Sequence, residues 1–140
     1  MHATVKWLGE ASFEGTADSG HTVLMDGPPD AGGQNRGTRP MEMLLLGLGG
    51  CTAFDVVYIL QRGRHPVSDC RVEVQAKRAE TPPRVFTEIH LVYHVSGDGL
   101  SDAAVERAVR LSAEKYCSAS IMLGKAAALT HEYVLENHGT

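Results

Sequence analysis

The twelve residues from Met43 to Phe54 carry no charge, and Glu42 and Asp55 close the run at its two ends. Such a run falls short of the roughly 20 residues that cross a bilayer, so it reads as part of a buried helix and no membrane span is expected. Pro40 suits the first turn of that helix, Thr38 offers a cap just upstream, and Glu42 places an acid where the helix dipole favours one. Gly63 and Pro66 stop it, which predicts a helix over residues 40–62. Met41, Leu44, Leu45, Leu48, Cys51, Thr52, Val56 and Ile59 recur at intervals of three and four and so share one buried stripe. Gly47, Gly49 and Gly50 each cost about 1 kcal/mol against alanine in a helix interior. Something therefore packs close to their face: a second helix, a partner subunit or a ligand.

Val5, Trp7 and Phe13 are separated by polar residues and by Gly9, and His21 to Asp26 forms another short run after the Ser19-Gly20 turn, which predicts a β-meander. Residues 27–37, rich in glycine and proline, form a loop of the length that tends to carry function. Residues 67–79 and 85–95 alternate and pair as a hairpin across Thr81-Pro82-Pro83. Cys70 has the parity of Val72, Val74 and Ala76 and reads as a core thiol, while Ile89, Leu91, Tyr93 and Val95 share one face. Ser101 caps an amphipathic helix marked by Ala104, Val105, Ala108, Val109 and Ser112, stopping near Tyr116. Ser118 or Ser120 caps a short helix through Leu123, and residues 127–135 make a last strand. Cys117 then lies at a helix N-terminus, where the dipole and Lys115 favour a thiolate. A chain of 140 residues normally makes one domain, here residues 1–140.

Several function classes are excluded by what the chain lacks. A net charge of −4 with scattered Lys and Arg provides no basic stripe for nucleic acid, leaving small molecules or proteins as partners. Lys6, Glu10 and Glu14 interrupt the N-terminus before a secretory signal could form, which points to a cytoplasmic, reducing location. Three cysteines are too few for a disulfide-stapled scaffold, so a pair is catalytic or incidental. His90 and His94 share a strand face but stand about 13 Å apart at roughly 3.3 Å per residue, too far for one ion. His21, His65, His131 and His138 are isolated, and neither a metal nor a cofactor is expected. Trp7 and Tyr58 read as core or interface packing, and Asp55 either accepts a hydrogen bond near Cys51 or is satisfied across a subunit contact.

Cys51 in the apolar run and Cys117 at the break in Glu114-Lys115-Tyr116-Cys117-Ser118 suggest a redox thiol couple. Residues 40–57 and 114–118 taken together resemble the OsmC/Ohr superfamily, and within it the YhfA-like branch. The shared pattern is a proline-acid opening to a helix whose apolar stretch ends in cysteine, with a second cysteine in a later helical region. The resemblance implies an α+β fold in which antiparallel sheets wrap around central helices and two protomers intertwine as a homodimer, with a thiol site in each half of the interface. It also implies that Cys51 is the peroxidatic and Cys117 the resolving cysteine.

A Cys51 thiolate would attack a hydroperoxide O–O bond, and the sulfenic acid would condense with Cys117 to a disulfide that an external dithiol resets. Leu44, Leu45 and Leu48 would favour organic hydroperoxides, since each buried methylene gains about 0.8 kcal/mol. Peroxidases resembling this chain carry an arginine in the N-terminal β region, held by a glutamate just after the helix-opening proline. This chain has no arginine before Arg36, and Glu42 is displaced one step round the helix, so only Cys51, Cys117 and Glu42 are matched. Arg36 and Arg39, on the loop before the helix, either substitute for the missing arginine or are solvated loop charges. The alternative on the same fold is a non-catalytic protein that binds an apolar ligand or thiol conjugate, with Cys51 filling an apolar gap.

Overall fold

A computed structural model describes residues 1–136, and in the first of two units, Met1–Leu45, the alternating residues form the expected meander. Strands β1 (Ala3–Gly9), β2 (Ser12–Ala17) and β3 (Thr22–Met25) pair antiparallel in that order. Trp7 is 64% exposed, which excludes the core half of the expectation of core or interface packing; its indole N–H donates to the Glu10 carbonyl at 2.9 Å and steadies the β1–β2 turn. The loop over residues 27–37 is ordered around one buried carboxylate. Asp26 accepts from the N–H groups of Gly27 at 2.7 Å and of Gln34 and Arg36, both at 3.2 Å. These bonds draw the loop so tight that a Cβ on Gly33 would collide with the Gly27 carbonyl.

Helix α1 (Pro40–Arg62) has the predicted bounds. Its N-terminus is held by Glu42, not Thr38: the Glu42 carboxylate accepts from the Arg39 N–H at 2.8 Å, the arrangement of a capping box, while the Thr38 hydroxyl is buried without a partner. The fully buried residues are Leu48, Thr52, Val56 and Leu60, one turn apart, so the buried stripe is narrower than predicted. Cys51 and Ile59 flank it half-buried, and Leu44 is 47% exposed. At 23 residues α1 is long and apolar enough to cross a membrane, which the twelve-residue run alone did not suggest. Thr52 and Asp55 nevertheless bond to side chains of other elements, as in a packed core helix.

In the second unit, from Leu46 onward, β4 (Asp69–Arg78) and β5 (Phe86–Ser96) form the predicted antiparallel hairpin. Ile89, Leu91, Tyr93 and Val95 are each at most 1% exposed and make the inner face. Helix α2 (Asp102–Leu111) follows, with the Ser101 hydroxyl accepting from the Ala104 N–H, then a π turn (Ser112–Tyr116) and α3 (Ser118–Leu123). The last strand, β6 (Ala128–Glu136), lies parallel to β5. The second sheet is therefore mixed rather than antiparallel, because the α2–α3 segment forms a crossover that returns the chain in the same direction. Val105, Ala108 and Val109 of α2 are buried, as their spacing predicted. Of the three helix glycines only Gly49 has a close neighbour: a Cβ there would lie 3.3 Å from Val74 of β4, whereas Gly47 and Gly50 meet nothing.

Candidate functional site

Cys117 owes its position to the π turn. The turn closes with the Cys117 N–H donating to the Ser112 carbonyl at 2.8 Å, five residues apart, so Cys117 falls out of the register of α2. Its backbone is then extended, and it becomes the N-cap of α3, its sulfur accepting from the Ser120 N–H at 3.3 Å. A cysteine caps this helix where Ser118 or Ser120 was expected. The fully buried Cys117 thiol and the half-buried Cys51 thiol are close enough to interact electrostatically.

The local electrostatics differ from the sequence expectation. Burial pushes the Cys117 thiol up; the hydrogen bonds from Ser120 oppose this without reversing it, and the adjacent Cys51 raises it further. Burial outweighs the position at the N-terminus of α3. The Lys115 ammonium, expected to help, instead lies 5.2 Å from the centre of the Tyr116 ring. Cys117 therefore keeps its proton. Cys70, half-buried on the inner face of β4, is also pushed up, first by burial and then by Asp69.

A chain of buried hydroxyls runs beside the two thiols. Thr52 Oγ1 is 2.6 Å from the Tyr93 hydroxyl and 2.7 Å from Ser112 Oγ, and Ser112 Oγ donates to the Asp55 carboxylate at 2.9 Å. A hydroxyl has one proton to give. Ser112 gives its proton to Asp55, so Thr52 donates to Ser112 and Tyr93 donates to Thr52, and the whole chain points toward the carboxylate. Tyr93 is fully buried and its hydroxyl is pushed up to about 12, chiefly by burial, with Cys117, Cys70 and Asp55 adding to the rise. Of these four residues the sequence singled out only Asp55 as a hydrogen-bond candidate near Cys51. Thr52 and Ser112 were recognisable as hydroxyls placed on otherwise apolar stripes, but nothing in the spacing paired them. Asp55 also lines a groove of 740 Å³ with Phe54, Tyr58, Arg62, Arg107 and Tyr116.

The remaining sequence candidates have other surroundings within their own units. Glu42, Arg36 and Arg39 lie in the first unit, where Glu42 is exposed and bonded as a cap. The Arg39 guanidinium donates to Asn35 Oδ1 at 2.8 Å and the Gly37 carbonyl at 3.2 Å, and the Arg36 side chain is exposed. Leu48 is a core residue at 0% exposure rather than a pocket wall, while Leu44 faces outward and Leu45 is half-buried. Tyr58, 51% exposed, stacks on Phe54 with ring centroids 6.0 Å apart. His90 bonds Thr130 at 2.6 Å, and His94 bridges Glu73 at 3.1 Å and Glu136 at 2.9 Å, so both serve the second sheet. His138 lies outside the described residues.

Comparison with known proteins agrees with this fold. The family model described as OsmC-like protein matches residues 32–132. Protein YhfA of Escherichia coli strain K12 is 52% identical over 133 residues, covering 95% of this chain and 96% of that protein. An OsmC-like protein from Mycoplasma pneumoniae superposes with a TM-score of 0.81 at 16% identity, covering 96% of this chain and 95% of that one. An organic hydroperoxide resistance protein from Legionella pneumophila superposes with a TM-score of 0.68, also at 16% identity, over 95% of this chain and 96% of that one.

Proposed function

The chain belongs to the OsmC-like family, and we propose that within it this protein is a thiol-dependent peroxidase, reducing organic hydroperoxides through a two-cysteine sulfenate and disulfide cycle. The observation that carries the reading is the proximity of the Cys51 and Cys117 thiols, which interact although they stand 66 residues apart in the sequence. It is supported by the Legionella pneumophila relative of the same fold, named for organic hydroperoxide resistance.

Cys51 is the half-buried member of the pair and the one a small molecule reaches; Cys117 is fully buried and keeps its proton. Cys51 attacks as the thiolate, the O–O bond breaks, and the alcohol leaves after taking up a proton. The Cys51 sulfenic acid then meets Cys117 already in place, and the disulfide closes with loss of water. A cytoplasmic dithiol reopens it.

The protein acts as a homodimer in this reading. Leu46, Phe54 and Tyr58 on α1 are 58%, 70% and 51% exposed, and Gly47 and Gly50 leave open space beside the helix, which suits the close approach of a second copy. The alternative of a non-catalytic binding protein is favoured by a different observation: the Arg39 guanidinium is engaged by its own loop, and Cys117 is raised by burial. One assay separates the two. Consumption of cumene hydroperoxide with dithiothreitol should fall to the uncatalysed background in Cys51→Ser, and Cys117→Ser should accumulate the sulfenic acid; a wild-type rate at background would leave only the binding reading.

A further inference from the structure

We propose that Ser112, together with Thr52 and Asp55, positions the disulfide-forming step by tying the Cys117 turn to the Cys51 helix. The inference rests on the two-cysteine reading above. Ser112 opens the π turn, and its carbonyl accepts the Cys117 N–H at 2.8 Å. Its hydroxyl meanwhile bonds two residues of α1, Thr52 at 2.7 Å and Asp55 at 2.9 Å. Thr52 directly follows Cys51, and Asp55 lies one turn further along the same helix. A single residue thus grips the backbone of one cysteine with its carbonyl and the helix of the other with its side chain. Tyr93 closes the arrangement from β5 through its 2.6 Å bond to Thr52.

The bonds supply something that apolar contact in the same place would not. Thr52, Ser112 and Tyr93 are fully buried, and buried hydroxyls are costly unless every one is satisfied. Here each proton has an acceptor, and the directional chain fixes the axial register between α1 and the turn. Register matters because the sulfurs have to close to about 2.05 Å with a defined torsion. In the step itself the Cys117 sulfur attacks the Cys51 sulfenic sulfur. An S–S bond forms, the S–O bond breaks, and the Cys117 proton leaves with the hydroxide as water. The hydroperoxide is the oxidant and has already been reduced to alcohol. Loosening the lock lowers the effective concentration of Cys117 at Cys51. It leaves the earlier attack on the peroxide, in which Cys117 forms no bond, nearly unchanged.

Ser112→Ala and Thr52→Val in the full chain test this, with Thr52→Ser as the variant that restores the hydroxyl. Equilibration of the Cys51–Cys117 disulfide against a dithiothreitol redox buffer needs no peroxide. Both lock variants should lose about tenfold in the equilibrium constant, a shift of about 30 mV, and Thr52→Ser should recover it. With cumene hydroperoxide and dimedone, Ser112→Ala should form sulfenic acid on Cys51 at close to the wild-type rate yet accumulate the dimedone adduct, because closure is slowed by about tenfold or more. Wild-type disulfide equilibria in both Ser112→Ala and Thr52→Val, or a Thr52→Ser protein as impaired as Thr52→Val, would overturn the proposal. If the wild-type protein forms no sulfenic acid with hydroperoxide, the peroxidase reading fails by itself, and the dithiothreitol equilibrium still decides the lock.

Discussion

Two acidic residues show how differently a carboxylate can act in this chain. Burial pushes Asp26 up, but the N–H groups of Arg36, Gly27 and Gln34 and the Ser12 hydroxyl outweigh it, so its carboxyl is lowered in the folded protein. In the unfolded chain it returns to about 3.9. The stability it contributes is therefore complete above that value and is lost as pH falls through the folded one. Urea midpoints from about pH 6 to about pH 3 should fall more steeply for the wild type than for Asp26→Asn; parallel curves would mean that the loop is ordered by something other than this carboxylate. Glu42 is exposed and works through geometry, its carboxylate accepting from the Arg39 N–H at the start of α1. Glu42→Ala should cost about 1 kcal/mol in urea unfolding, and Glu42→Gln, which keeps the acceptor, should cost little. If Glu42→Gln instead keeps its stability and loses hydroperoxide turnover, the charge serves chemistry as well as capping.

Among the elements, α1 was the most legible, because its proline, acid, apolar spacing and terminal glycine all give the same bounds. The hairpin of β4 and β5 was legible for the same reason, its alternation fixing which residues face inward. The direction of β6 was not, since parallel or antiparallel pairing depends on how the preceding helices cross the sheet rather than on the strand's own residues. The π turn was also hidden: Ser112 continues the apolar spacing of α2 without a break, and nothing in the sequence announces the tertiary bonds to Thr52 and Asp55 that anchor the residue opening the widened turn. That dependence makes a test at the level of the element. Inserting one alanine after Ala113 would carry Cys117 about 100° further round the axis. The insertion variant should form no Cys51–Cys117 disulfide under diamide while keeping far-UV helicity close to wild type; a disulfide formed at the normal rate would show that the spacing from Ser112 is not what places Cys117.

At the scale of the whole molecule, the question is what covers the apolar flank of α1. The stripe Leu48, Thr52, Val56 and Leu60 is enclosed by the chain itself, yet Leu46, Phe54 and Tyr58 project from the same helix into solvent. From periodicity alone these residues looked no different from their buried neighbours, since a helix that is apolar nearly all round does not reveal which side its own chain will cover. An apolar helix face of this kind marks an interaction surface, and the vacant positions beside Gly47 and Gly50 admit a backbone at close range. A second copy packed there would make folding and association one equilibrium, and the thermal midpoint would then rise with protein concentration. Phe54→Glu places a charge in that contact and should give a monomer by analytical ultracentrifugation at concentrations where the wild type is a dimer. Its midpoint should be lower and independent of concentration, and its dithiol-dependent hydroperoxide turnover should fall if the thiol site depends on the assembled pair. A wild-type protein that sediments as a monomer, with the same midpoint as Phe54→Glu at every concentration, would leave the flank exposed in solution and refute the dimer.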